Sequence, residues 1–258
     1  MKDYTLITGA TSGLGYEFSK IFAQNGNNLI LIGRRLEKLQ EIKKELENLN
    51  NIKIEIISVD LSKKESVDYI YDFVNKKNIF VDNLINNAGF GSYGAFYKVE
   101  EAKDLEMIDV NIYALTKLIK KFLPSMIEKN KGGILNVAST AAFAPGVNMS
   151  VYYATKAYVL SLTEALYEEC LGYNVKIMAL CPGAVKTEFQ EIAKVEKSDV
   201  SKNNLMDAAY VVKKAYEEFT YKKSVLLVPG FKNKLLVQAV RFMPRWVTRK
   251  IIKKVNKG

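Results

Sequence analysis

Seven short apolar runs alternate with longer segments of helical spacing, and this alternation leaves few folds open to the chain. The runs are Tyr4–Ile7, Leu29–Ile32, Ile52–Val59, Asn83–Asn86, Ile134–Val137, Val175–Leu180 and Val225–Val228. Several are apolar at consecutive positions, as expected of strands covered on both faces. Between them, Leu36, Leu39, Ile42, Leu46 and Leu49 recur every three or four positions, giving one apolar helical face. Leu105, Ile108, Ile112, Leu115, Ile119 and Leu123 do the same ahead of Pro124, and a further helix is marked from Tyr153 to Leu166. Strands joined by right-handed helical crossovers predict a doubly wound, mostly parallel α/β sheet of about seven strands with helices on both faces. Residues 1–230 are read as one domain, and 231–258 as a helical C-terminal extension of it.

Composition removes several chemistries. The chain has no histidine and two cysteines, Cys170 and Cys181, without metal-ligand spacing. Ser-His-Asp and Cys-His catalysis are excluded, and no metal site is expected. Acid–base work must therefore fall to Tyr, Lys, Asp, Glu or Cys. The net charge of +10 could attract polyanions. Lysines such as Lys43, Lys44, Lys63 and Lys64 lie among acidic and Asn residues, however, so no nucleic-acid partner is expected. No run approaches the ~20 apolar residues of a membrane-spanning helix, and no signal peptide is recognisable. A cytoplasmic location is the expectation.

The sharpest local motif is Thr8-Gly9-Ala10-Thr11-Ser12-Gly13-Leu14-Gly15, between the first strand and the first helix. Gly9 permits a tight turn, Gly13 a close approach of backbone to a pyrophosphate, and Gly15 close packing of helix on sheet. The helix that follows would aim its N–H groups and positive end at the phosphates. This context predicts a Rossmann-type dinucleotide site, and the missing Gly-Lys-Ser/Thr ending excludes a P-loop. The second strand ends Leu31-Ile32-Gly33-Arg34-Arg35. An acidic residue there would bind a ribose 2′-hydroxyl and repel a 2′-phosphate, whereas guanidinium groups accept the phosphate. NADP(H) is the cofactor implied, with Arg34 the main contact and Arg35 a second.

Farther along lie Asn86-Asn87-Ala88-Gly89 after a strand, Asn111 in a helix, Ser139 closing a strand, and Tyr152-Tyr153-Ala154-Thr155-Lys156 opening a helix. Ketone reduction needs a hydride at carbon and a proton at oxygen. A phenol with a pKa near ~10 is a poor base at neutral pH, but an ammonium on the same helical face favours its ionised form. Tyr152 and Tyr153 both satisfy that spacing to Lys156. Ser139, at the carboxyl end of a strand, can hydrogen-bond a substrate oxygen as charge develops.

This ordered set, from about Tyr4 to Thr187, resembles the short-chain dehydrogenase/reductase family. The resemblance selects Tyr152 as the acid/base and Lys156 as both its pKa-lowering neighbour and a nicotinamide-ribose contact. It implies that Ser139 orients the carbonyl and that Asn111 holds a water linking the lysine to solvent. It further implies adenine contacts at Asp60 and Leu61, and adenosine-ribose contacts at Asn87, Ala88 and Gly89. Cys181-Pro182-Gly183-Ala184-Val185-Lys186-Thr187 looks like the family's Pro-Gly loop, so Pro182, Gly183, Val185 and Thr187 are expected beside the nicotinamide carboxamide. Thr11, Ser12 and Leu14 complete the phosphate turn. Homo-oligomers are common in the family, through helices starting near Glu101 and Tyr152.

The substrate is a small carbonyl or alcohol compound. Phe90, Tyr93, Phe96, Tyr97, Phe143 and Phe189 flank the expected site, either lining a cleft for an apolar molecule or packing the core. Gln190 to Asn204 reads as a polar lid. Phe231 to Gly258 combines nine basic and no acidic residues with regularly spaced apolar ones, one or two amphipathic helices around Pro244. Such helices can lie on an anionic membrane surface, cap the substrate pocket or pack on another subunit. The alternative to an active enzyme is a catalytically silent dinucleotide-binding regulatory protein of the same fold.

Overall fold

The computed structural model describes residues 2–189, 205–222 and 224–256. The expected lid, 190–204, lies outside the described residues. Seven strands form one sheet: β1 (Lys2–Thr8), β2 (Asn28–Gly33), β3 (Ile54–Ser58), β4 (Ile79–Asn86), β5 (Gly132–Val137), β6 (Val175–Leu180) and β7 (Leu226–Leu227). Their order is β3-β2-β1-β4-β5-β6-β7, and every neighbouring pair is parallel. The sheet is thus more uniform than the mostly parallel one expected.

Strand residues divide between two cores with a period of two, because successive side chains leave a strand on opposite faces. Leu6, Ile30, Ile32, Ile134 and Ile177 join one core, packed by α3 (Ser66–Lys76), α5 (Leu115–Glu128) and α6 (Ser150–Glu169). Ile7, Leu29, Leu31, Leu135 and Met178 join the other, under α1 (Gly13–Gln24), α2 (Leu36–Leu49) and α7 (Ala208–Tyr221). Phe18 of α1 is fully buried, and truncating such a ring to Ala would remove about 3–5 kcal/mol. Both cysteines are buried, and burial holds the Cys181 thiol up at about 12.

The apolar periodicity from Leu105 to Leu123 conceals an irregularity. It forms α4 (Glu101–Ile108), a π turn (Asp109–Ala114) and then α5. Pro124 does not end α5, which continues to Glu128. A proline inside a helix costs ~3 kcal/mol; burial of Phe122 before it and Met126 after it offsets that cost. The tail folds as α8 (Phe231–Phe242) and α9 (Arg245–Val255), with Pro244 as N-cap of the second. Among the described residues, no helix is long and apolar enough to cross a membrane.

Strand order reverses between β1 and β4: the chain steps outward to β3 on one side and to β7 on the other. Helices from adjacent strands diverge there, opening a crevice at the carboxyl ends of the strands.

Candidate active site

A cavity of about 660 Å³ occupies that crevice. The end beside the Gly9–Gly15 turn is made largely of backbone. Gly9 and Gly13 have φ of +65° and +53°, a region costly for residues with a Cβ. A Cβ on Gly15 would lie 2.0 Å from the Gly9 carbonyl oxygen, and one on Gly13 2.9 Å from Thr187 Cγ2. Ser12 is the N-cap of α1, but its side chain makes no capping hydrogen bond, and no acidic residue lies in the first turn. The positive helix end therefore faces the cavity, where Thr11, Ser12, Gly13 and Leu14 line the wall. This cradle fits a pyrophosphate. Gly15 does not line the cavity; it packs behind the turn.

Thr8 fastens the cradle to the neighbouring strand. Its hydroxyl accepts the Asn87 and Ala88 N–H groups, each at 3.0 Å, while Asn87 Nδ2 donates to the Thr8 and Gly9 carbonyls at 2.9 and 3.2 Å. Asn87, Ala88 and Gly89 then form part of the wall.

At the end of β2, Arg34 and Arg35 both reach the cavity rim. Arg34 lies 3.6 Å from Glu106, an exposed pair worth little. Arg35 donates to the Thr11 carbonyl and hydroxyl and to Glu188, each at 3.2 Å. Asp60 and Leu61 follow β3 into the same wall. The Asp60 carboxylate accepts the Ser62 N–H and hydroxyl; burial tends to raise its pKa, but these bonds and the Arg34 charge hold it below the ordinary range.

Beyond the cradle, Ser139, Tyr152 and Lys156 line the cavity together. Tyr152 is 9% exposed and Lys156 5%. The lysine amine donates to the Val137 carbonyl at 2.8 Å and lies 5.9 Å from the centre of the Tyr152 ring. Ser139 accepts the Ala141 N–H at 3.1 Å, capping a short 3₁₀ turn (Thr140–Phe143) while its hydroxyl faces the site. Burial pulls the Lys156 ammonium down to about 8. Burial also pushes the Tyr152 phenol well above its ordinary range, opposed by a hydrogen bond with Ser139. With protein groups alone, desolvation therefore outweighs the downward pull that sequence spacing assigns to the ammonium. Tyr153, the other phenol within reach of Lys156 by spacing, turns to α9, where it contacts Asn256.

Asn111 does not line the cavity. It sits in the π turn, 1% exposed. Its Oδ1 accepts the Phe90 N–H at 3.1 Å, and its Nδ2 donates to the Phe90 carbonyl and the Thr155 hydroxyl, both at 3.0 Å. Thr155 in turn donates to the Tyr152 carbonyl at 2.8 Å. Asn111 thus fixes the wall beside Gly89, where an added Cβ would lie 3.0 Å from its Oδ1 and 3.4 Å from Lys156 Nζ.

Pro182, Gly183, Val185 and Thr187 close the cavity behind β6. Of the six candidate substrate aromatics, Phe90, Tyr93, Phe143 and Phe189 line it; Phe96 and Tyr97 are exposed and do not. Those two occupy a 3₁₀ turn (Phe96–Lys98) with no buried residue. Leu236, Val237, Val240, Ile251 and Ile252 of α8 and α9 complete the apolar wall. Asn256 ties this wall down: its carbonyl accepts from the Tyr93 hydroxyl at 2.7 Å, and its Nδ2 donates to Val147 at 3.0 Å. Sequence reading missed the roles of Thr8, Thr155 and Asn256.

Comparison with known proteins agrees with this fold. An uncharacterized oxidoreductase of Staphylococcus epidermidis is 32% identical over 206 residues, covering 79% of this chain and 87% of that protein. An NADP-dependent 3-hydroxy acid dehydrogenase of Schizosaccharomyces pombe is 35% identical over 193 residues, covering 72% and 73%. Among solved structures, a short-chain dehydrogenase from Sphingobium yanoikuyae in complex with NADPH superposes with a TM-score of 0.83 at 28% identity, covering 93% of this chain and 94% of that one. Residues 3–197 match the short chain dehydrogenase family, and the chain is a member of that oxidoreductase family.

Proposed function

We propose that the protein is an NADP(H)-dependent oxidoreductase that interconverts a ketone or aldehyde and the corresponding alcohol, with Tyr152 as general acid and base. The observation that carries this reading is that buried Tyr152 and Lys156 share one cavity with Ser139 and the glycine cradle. The NADPH bound by the Sphingobium protein and the NADP dependence of the S. pombe relative support the cofactor.

The cradle of Gly9, Gly13 and Gly15 would hold the pyrophosphate, with Arg34 and Arg35 on the 2′-phosphate. Asp60 and Leu61 would meet the adenine, Asn87 to Gly89 its ribose, Lys156 the nicotinamide ribose, and Pro182 to Thr187 the carboxamide. When bound, the dinucleotide supplies or accepts the hydride at the substrate carbon. This chain's residues supply the proton and the electrostatics.

Burial keeps the Tyr152 phenol neutral at physiological pH, the state an acid must start from in reduction. Handing its proton to the substrate oxygen would leave a phenolate where water is largely excluded. Lys156, charged below about pH 8, is the buried cation available to stabilise that charge. Ser139 places the carbonyl oxygen against the phenol. Leu236, Val237, Val240, Ile251 and Ile252 favour an apolar substrate body, and their place in the wall supports reading 231–258 as an extension of the catalytic domain.

The test follows NADPH oxidation across a panel of ketones, aldehydes and acyl thioesters, then repeats it with Tyr152→Phe. The variant should bind NADPH normally and lose roughly 10³-fold or more in kcat. Retained turnover refutes the proton assignment; wild-type NADPH binding without turnover on any carbonyl class refutes the enzyme.

A further inference from the structure

The two tail helices use one face for the cavity, and no described residue covers the other. On the outer face Phe231 is 75% exposed, Phe242 87% and Trp246 56%, with Leu235 also exposed. Phe231, Leu235 and Phe242 lie on one side of α8, at i, i+4 and i+11, and Trp246 continues the patch across the turn at Pro244. Large aromatic side chains are not left in water without cost.

The charge around them is concentrated to the same degree. Phe231 to Gly258 holds nine Lys and Arg and no Asp or Glu, so of the net +10 this segment carries +9 and the preceding 230 residues +1. Elsewhere lysines are neutralised locally, as in Lys77–Glu55, Lys117–Asp68 and Lys214–Glu217. None of the described tail cations forms an ion pair with a described carboxylate, and Lys250 instead lies 5.1 Å from the Trp246 ring centre. A second copy of the chain would bring the same positive charge to the contact. A nucleic acid would answer the charge and leave the aromatic side chains in water. An anionic lipid surface answers both.

We propose that α8 and α9 dock the protein on an anionic membrane surface, with Phe231, Leu235, Phe242 and Trp246 entering the interfacial layer and the tail cations meeting lipid phosphates. Leu236 and Ile251 are both exposed and part of the cavity wall, so the rim of the cavity borders this face. Docking would open the site toward the lipid, a consequence that rests on the reductase reading; the docking itself does not.

Trp246 is the only tryptophan of the chain and serves as the probe. Full-length protein is mixed with vesicles of phosphatidylcholine alone or with one third phosphatidylglycerol, and Trp246 emission and co-sedimentation are read together. The expected result is a blue shift and pelleting with the anionic vesicles only, both reversed by high salt. Arg249→Gln, Lys253→Gln and Lys254→Gln together should weaken partitioning roughly a hundredfold, at roughly fivefold per charge. Phe242→Ser should weaken it roughly tenfold or more. None of these side chains lines the cavity, so NADPH oxidation with a water-soluble carbonyl stays unchanged and reports an intact fold. Equal binding to both vesicles, an equal blue shift with soluble heparin, or a blue shift that grows with protein concentration without lipid each overturns the proposal, the last by assigning the face to a second copy.

Discussion

The two ends of the cavity are built from different material. The end proposed for the nucleotide is backbone: a turn whose glycines admit no Cβ, clasped to β4 by Thr8 and Asn87. The end proposed for the substrate is side chain: Phe90, Phe143 and Phe189 from loops and turns, and Val237, Val240 and Ile252 from the two tail helices, the second tied down through Asn256. A backbone cradle is intolerant of change and suits a ligand that never varies. A wall of replaceable side chains can be recut without disturbing the cradle. Cofactor and substrate affinity should therefore respond to separate sets of mutations.

Gly15→Ala tests this most severely. The new Cβ would collide with the Gly9 carbonyl, which Asn87 holds in place. Strain of about 3 kcal/mol should lower the melting temperature and raise the NADPH Kd roughly a hundredfold. A variant with normal NADPH affinity would show the cradle to be softer than its geometry implies.

Val240→Ala probes the other end. Removing two methyl groups from the wall should raise KM for an apolar carbonyl about tenfold, leaving the NADPH Kd unchanged. A comparable loss of NADPH affinity would erase the distinction between the two ends.

The proton transfer proposed for Tyr152 and Lys156 should show in the pH profile. Lys156 is charged below about pH 8 and neutral above it. For reduction, kcat/KM should hold level near pH 6–7 and fall as pH rises through about 8, and Lys156→Arg should abolish that limb. A profile flat to pH 10 would remove Lys156 from the electrostatics of the step.

The smallest effect lies far from the cavity. Asp82 on β4 is half-buried, one carboxylate oxygen is buried with no hydrogen-bond partner, and its pKa is raised to about 6, chiefly by burial and secondly by Asp3. Folding therefore favours its protonated form, and the contribution of Asp82 to stability is most favourable below about pH 4 and falls as pH rises through about 6. Asp82→Asn should remove that fall, adding about 2 kcal/mol at pH 7 with kinetics unchanged. Denaturant titrations at pH 4 and 7 measure it; an unchanged difference between the two would move the effect elsewhere.

The uneven construction also explains what the sequence disclosed. Strands apolar on both faces and the glycine turn are local patterns, so the sheet and the cradle were legible. Tyr152 and Lys156 share a helical face, which spacing reveals, but choosing Tyr152 over Tyr153 needed the family resemblance. The energetics did not follow from spacing, because burial, which dominates both pKa values, is a tertiary property. Thr8, Thr155 and Asn256 act on partners 79, 44 and 103 positions away, and no local pattern announces such contacts. Phe96 and Tyr97 were indistinguishable by composition from Phe90 and Tyr93, and only the chain path separates them. The tail was ambiguous because one amphipathic pattern serves a cavity on one side and an uncovered surface on the other.

The π turn at Asp109–Ala114 sets a limit on attempts to improve the protein. It carries one surplus residue within an otherwise regular rod, and Asn111 faces Phe90 and Thr155 because of that surplus. Deleting a single residue just ahead of Asn111 would let α4 and α5 merge into one regular helix while swinging the amide roughly 100° around the axis. A selection for heat resistance alone would favour the straightened helix, and would discard the registration between the two sides of the cavity wall in doing so.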